Sequence, residues 1–215
     1  MIFLVIMMIF GGFEPVDYWM IRPSIVYDDD IDGADEWLGF FDMACSYMLR
    51  PVEVLFTLED IVVYEGERPA GLIVELPDEN YVTPLVLLSS SIPVFSSGQV
   101  LTVVHEYMHL LPNLSVIFSE EELEEVRLFT NRDGLYLSTE QITQHITETF
   151  PGEEGSETYM GILWAGDLDR DGKLDLLLND VADEYGRFSW GLYLSTEASS
   201  DQLVGKVATF HDTYY

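Results

Sequence analysis

The chain has 215 residues, 48% of them hydrophobic, with 39 acidic against 9 basic side chains and a formal net charge of −30. That apolar content supplies a core and excludes an intrinsically disordered chain. The charge excludes nucleic acid as a partner, because a phosphate backbone rewards clustered cations and the only lysines are Lys173 and Lys206. Bound divalent cations, a saline medium or a basic partner protein would screen so many carboxylates.

The chain opens on "MIFLVIMMIF" followed by "GGFEP". A membrane-spanning helix needs about 20 apolar residues, so the run predicts no transmembrane span. It reads as the apolar centre of an export signal over residues 1–13, with a buried first strand as the alternative. Residues 14–215 then form a single β-rich domain in an extracytoplasmic place: periplasm, cell surface or medium. In "YDDDIDGADEW", Asp28, Asp30 and Asp32 alternate, Gly33 follows, and Glu36 takes the ninth place. Calcium takes several hard oxygens, so a short chain must curl around it with acids at alternate positions, and the seventh residue, Ala34, would give its carbonyl.

Cys45 is the only cysteine, which excludes an intrachain disulfide and a cysteine-based zinc cluster. It reads as a small buried apolar group. From Pro51 to Val104 short runs such as "VEVLF", "IVVY", "GLIVEL" and "PLVLL" alternate with Gly, Pro, Asn and Ser, the signature of strands. The texture returns in "EVRLF", "GLYLS", "LDLLL" and "WGLYLST". The fold class expected is mainly β, with compact antiparallel sheets in a sandwich-like arrangement and one or two short helices.

"HEYMH", His105 to His109, matches the pattern in which two histidines hold Zn²⁺ and a glutamate activates water. A zinc-dependent metallopeptidase using His105, Glu106 and His109 is therefore the rival reading, and it requires a helix. In a strand, four residues of rise would part the histidines by about 13 Å. The β-branched run "VLTVV" upstream and the turn residues on either side favour the strand. Helices are expected instead at "SEEELEEV", where Ser119 and Glu122 have capping-box spacing, and at "STEQITQHITETF", where Ile142 and Ile146 stand four apart. Trp19, Trp37, Trp164 and Trp190 read as core and edge packing.

The strongest motif is "GDLDRDGKLDLLLND". Asp167, Asp169 and Asp171 alternate, Gly172 permits the sharp turn, Lys173 offers its carbonyl and Asp175 stands ninth. Position twelve holds Leu178 where an EF-hand needs glutamate, and Gly161 and Gly166 stand where its entering helix would be, so the pattern predicts a calcium loop at the tip of a β-hairpin. The residues "GDLDRDGKLDLL" resemble the motif of FG-GAP and VCBS-type repeats, which implies that Asp167, Asp169, Asp171, the Lys173 carbonyl and Asp175 are calcium ligands. With "WGLYLSTEASSDQLVGKVATF" the segment also looks like the C-terminal part of exported bacterial proteins of unestablished activity that carry this loop. The two acidic loops stand too far apart for a propeller repeat. A calcium-binding exported protein with a structural, adhesive or protein-interaction role is expected, its partners being calcium and another extracytoplasmic protein.

Overall fold

The structure, a computed structural model, describes residues 18–21, 25–26, 36–43, 46–60, 70–76, 83–91, 93–104, 107–111, 113–120, 123–147, 161–180 and 188–212. Among them the chain forms β1 (Tyr18–Ile21), β2 (Ile25–Val26), β3 (Trp37–Asp42), β4 (Tyr47–Val52), β5 (Leu55–Asp60) and β6 (Ala70–Glu75). There follow β7 (Val86–Ser90), β8 (Gly98–Val104), β9 (Met108–His109), β10 (Ser115–Glu120), β11 (Leu123–Asn131) and β12 (Gly134–Ser138). The last are β13 (Thr143–Thr147), β14 (Gly161–Asp167), β15 (Asp175–Asp180), β16 (Phe188–Leu194) and β17 (Gly205–Asp212). The expected β class holds.

The largest sheet runs in the order β1, β7, β3, β4, β8, β14, β15, β16, β17, with β9 pairing beside β8 on β14. Its end strands β1 and β17 come into contact, so the sheet curls almost into a barrel. Phe40, Leu49, Leu88, Trp164, Leu177, Leu192 and Leu194 fill the interior. A meander of β10 to β13 packs on the outside of β14 to β16 through Val126, Leu128, Leu135, Leu137, Ile162, Leu176 and Leu178. A third sheet of β2, β6 and β5 contributes Val74 to a small cluster with Ile21, Trp37 and Leu87.

This layering explains why "LLL" in β15 does not alternate with polar residues. Leu176 and Leu178 point to the meander core and Leu177 into the barrel, so all three are buried. Each contributes roughly 1.5–3 kcal/mol of burial. β14 serves both cores by a bulge. Its register slips between Ile162 and Trp164, which sends Ile162 to the meander and Trp164 to the barrel. The Trp164 indole N–H donates to Thr102 Oγ1 at 3.0 Å, satisfying the one polar atom of a fully buried ring. Trp37 is buried as well, while Trp19 and Trp190 are half-buried, as packing predicts.

Neither helix expected from the sequence forms in the described residues. "SEEELEEV" is the β10–β11 hairpin, with Glu120 opposite Leu123, and "STEQITQHITETF" contains β13. Capping-box and i,i+4 spacings are local signals worth tenths of a kcal/mol, whereas pairing in the meander buries Leu123 and Val126. Gln144 of β13, expected on a helix, is buried and caps a loop: its Nε2 donates to Val204 O at 2.7 Å, and its Oε1 accepts Leu203 N–H at 2.6 Å and Val204 N–H at 3.0 Å.

Candidate metal centre

The hairpin of β14 and β15 brings its acidic tip together from both ends. Asp167 closes β14, Asp175 opens β15 opposite Gly166, and Asp169 lies on the loop between them. One carboxylate oxygen from each of Asp167, Asp169 and Asp175 falls within 4.8 Å of the other two. Two of the three are shielded from water, Asp175 at 0% exposed and Asp167 at 7%, while Asp169 is half-buried.

The loop is wound around the Asp167 carboxylate, which accepts N–H bonds from Asp171 at 3.0 Å and Gly172 at 2.9 Å. This winding requires left-handed backbone at Arg170 (φ 68°) and Gly172 (φ 81°). Glycine adopts it freely; arginine does so at a cost of about 1–2 kcal/mol. The Arg170 guanidinium offsets that cost by donating through Nη2 to the carbonyls of Ser96, Ser97 and Gln99 at 3.3, 2.9 and 3.3 Å. Glu124 N–H donates to Gly172 O at 3.2 Å, tying the same loop to β11 of the meander.

The loop between β16 and β17 closes the other side. Ser195 N–H donates to Asp175 Oδ1 at 2.8 Å, and Thr196 Oγ1 donates to Asp169 Oδ2 at 2.6 Å. Asp175 Oδ2 accepts Leu168 N–H at 2.7 Å and Asp169 N–H at 3.4 Å. One residue further, Glu197 accepts the Tyr18 hydroxyl of β1 at 2.8 Å. Nothing in the sequence pointed to Ser195, Thr196 or Glu197, which follow "LYL" with no motif of their own.

Burial raises the pKa of Asp175 well above the ordinary carboxylate value, and the Asp169 charge adds to it, against three backbone N–H bonds that favour the anion. Burial likewise raises Asp169, with Asp171 and Asp167 as like-charged neighbours, although the Thr196 hydroxyl pulls the other way. Burial also raises the Tyr18 hydroxyl, helped by Glu197. Three carboxylates this close, two of them buried, repel, and a divalent cation is the charge that would relieve them. The group can hold a metal ion.

Of the residues expected as ligands in this loop, Asp167, Asp169 and Asp175 converge. Asp171 stands outside the trio: its Oδ1 accepts Lys173 N–H at 2.9 Å, and its Oδ2 lies 3.8 Å from Lys173 Nζ. In the earlier loop Asp28, Asp30, Asp32 and Ala34 lie outside the described residues, as do Met1 to Phe13 and Cys45. Glu36 is described and exposed; its carbonyl accepts Ser89 Oγ at 2.7 Å. His105 and Glu106 also lie outside, but their flanks are strands. β8 ends at Val104, and Met108 and His109 pair with Ile162 and Gly161, so the turn of helix needed to stack His105 on His109 would have to end before the pair it serves. The His109 ring sits edge-on to Tyr107 at 4.6 Å.

Comparison with protein-family models, with curated proteins and with solved structures finds no match.

Proposed function

We propose that the chain is an exported calcium-binding protein with a structural, adhesive or protein-interaction role. The observation that carries this reading is the convergence of Asp167, Asp169 and Asp175 at a hairpin tip. The donors are hard oxygens with no nitrogen or sulfur among them, which suits Ca²⁺ and Mg²⁺ and not the softer transition metals. Ca²⁺ is favoured over Mg²⁺ because it accepts an all-protein oxygen shell of flexible geometry, whereas Mg²⁺ keeps several waters and demands a near-ideal octahedron. Asp171 and the Lys173 carbonyl are the groups nearest in sequence to complete the shell. Asp28, Asp30, Asp32, Ala34 and Glu36 would form a second site on the same spacing.

The loop's attachments supply a role for the ion. It is bonded to the Ser96–Gln99 segment through Arg170, to the meander through Gly172 and to the β16–β17 loop through Asp169 and Asp175. An ion holding the three carboxylates would therefore stiffen a junction between the barrel and the meander. At free calcium one hundred times Kd, each site would add about 2.7 kcal/mol to stability. Extracellular calcium modules work at high micromolar to millimolar calcium, which agrees with export as read from the apolar first ten residues.

Calorimetric titration with calcium tests this. Two sites are expected in the wild type, one lost in Asp169→Ala and the other in Asp30→Ala. Absence of calcium binding refutes the reading, and stoichiometric zinc removed by His109→Ala would install the peptidase in its place.

A further inference from the structure

The large sheet closes on itself at a seam between its end strands, β1 and β17. Met20 of β1 and Phe210 of β17 both belong to the barrel core, and Tyr18, Val207 and Ala208 pack against it. β1 has four residues and, among the described residues, its backbone ladder is with β7 alone. A short end strand of this kind opens at lower free energy than strands inside a sheet.

The turn that follows β16 bridges the seam. Ala198 N–H donates to Ser195 O at 3.1 Å to form the turn, and Gly205, the first residue of β17, seats it: a Cβ on Gly205 would collide with the Glu197 carbonyl. From that seat the Glu197 carboxylate reaches β1, where Oε1 accepts the Tyr18 hydroxyl at 2.8 Å. Glu197 thus has its backbone against β17 and its side chain on β1. The two residues before it are bonded to the metal centre, Ser195 N–H to Asp175 Oδ1 and Thr196 Oγ1 to Asp169 Oδ2. A second arm of the acidic hairpin arrives at the same tyrosine. Arg170 holds the carbonyls of Ser96 and Ser97, and Phe95, the residue before them, sets its ring edge-on to Tyr18 with centroids 6.0 Å apart.

Charge decides which way the ion acts. Burial, Glu197, and then the charges of Asp169 and Asp175 raise the pKa of the Tyr18 hydroxyl, so carboxylates from the hairpin and from the turn act on one phenol. Without an ion, Asp169 and Asp175 repel Glu197 and loosen the turn from the hairpin. A cation among Asp167, Asp169 and Asp175 cancels that repulsion and fixes the two carboxylates from which the turn hangs. We propose that ion binding at the acidic hairpin fastens β1 to β17, with Glu197 and Tyr18 as the coupling pair. This regulation rests on the calcium reading of the site and goes beyond it, because what the ion controls is closure of the barrel.

Amide hydrogen exchange of the full chain, read by mass spectrometry in saturating calcium and in chelator, tests the coupling alongside calorimetric titration with calcium. In the wild type the β1 amides should exchange about fivefold or more slowly with calcium. That slowing should vanish in Asp169→Ala, which leaves the second proposed site intact. It should fall below about twofold in Tyr18→Phe, which keeps the ring beside Phe95 and removes the bond to Glu197. Thr196→Val, at an exposed position outside β1, should show the same loss at saturating calcium and keeps the test decisive if Tyr18→Phe exchanges too fast to follow. Calcium binding that Asp169→Ala removes, with no response of β1, overturns the coupling and leaves the metal centre standing. Equal slowing in wild type, Tyr18→Phe and Thr196→Val also overturns it, since the ion would then be stabilising the chain as a whole. Absence of a calcium site removed by Asp169→Ala overturns the metal centre itself, and the coupling with it.

Discussion

Arg132-Asp133-Gly134, between β11 and β12, and Arg170-Asp171-Gly172, between β14 and β15, are the same three residues at the turn of an antiparallel hairpin. The first makes a tight exposed turn in which Asp133 N–H donates to Asn131 Oδ1 at 2.7 Å. The second becomes a wound loop around buried carboxylates. What differs is the flank. Four residues before the aspartate the first hairpin has Phe129 and the second Asp167; two before, Asn131 and Asp169; four after, Leu137 and Asp175. Phe129 stacks on Tyr136 at 5.1 Å and Leu137 is buried in the meander core, so the first hairpin spends these positions on packing. The shared tripeptide is a turn signal alone, and the acids around it decide whether the turn gathers charge.

The sharpest way to break that distinction is Asp175→Ala. The residue is fully buried and accepts N–H bonds from Leu168, Asp169 and Ser195. Truncation orphans buried donors from two loops and leaves a void, which costs about 3 kcal/mol. Urea unfolding with a chelator present should show that loss. With saturating calcium the gap between wild type and variant should widen, because the variant gains only from the second proposed site. A variant whose calcium response equals that of the wild type would place the ion elsewhere.

A smaller effect follows from pH. In the metal-free protein the folded-state pKa values of Asp175 and Asp169 lie above 3.8, so the native state holds more protons than the unfolded chain between that value and the raised ones. Stability from these groups is then fully present below 3.8 and is lost as pH rises through the folded values. Thermal melts in chelator should fall along that window. General repulsion in a chain of charge −30 acts in the same direction, so the part owed to Asp175 is the difference between wild type and Asp175→Asn, which removes that group's titration. Calcium competes with protons for the same oxygens and should reverse the slope. An identical pH profile for the two proteins would show that Asp175 titrates alike in folded and unfolded chains.

Much of this site was legible because it lies within one stretch of sequence. The alternation of Asp167, Asp169 and Asp171, the glycine after them and the acid in ninth place foretold a hairpin tip, and three of its four acids converge. Asp171 could not be distinguished from its neighbours by spacing; its side chain turns to Lys173, a choice made by the backbone at Arg170 and Gly172. Thr196 and Ser195 were illegible because they reach the site only through the pairing of β15 with β16. The helix signals misled at "SEEELEEV" because a local cap competes poorly with sheet partners that arrive from elsewhere in the chain.

The smallest effect should come from Asp133→Ala, and its smallness is informative. The Asp133 contribution to its turn is the backbone N–H given to Asn131, which alanine retains. The side chain is exposed, so stability should move by no more than about 0.5 kcal/mol. Calcium stoichiometry and enthalpy should match the wild type. The site depends on a geometry of acids, not on a count of them, only if an aspartate in the same tripeptide can be removed without consequence. If calorimetry shows Asp133→Ala weakening calcium as much as Asp169→Ala does, the ion is held by the summed field of the acidic surface, and the two hairpins differ in packing alone.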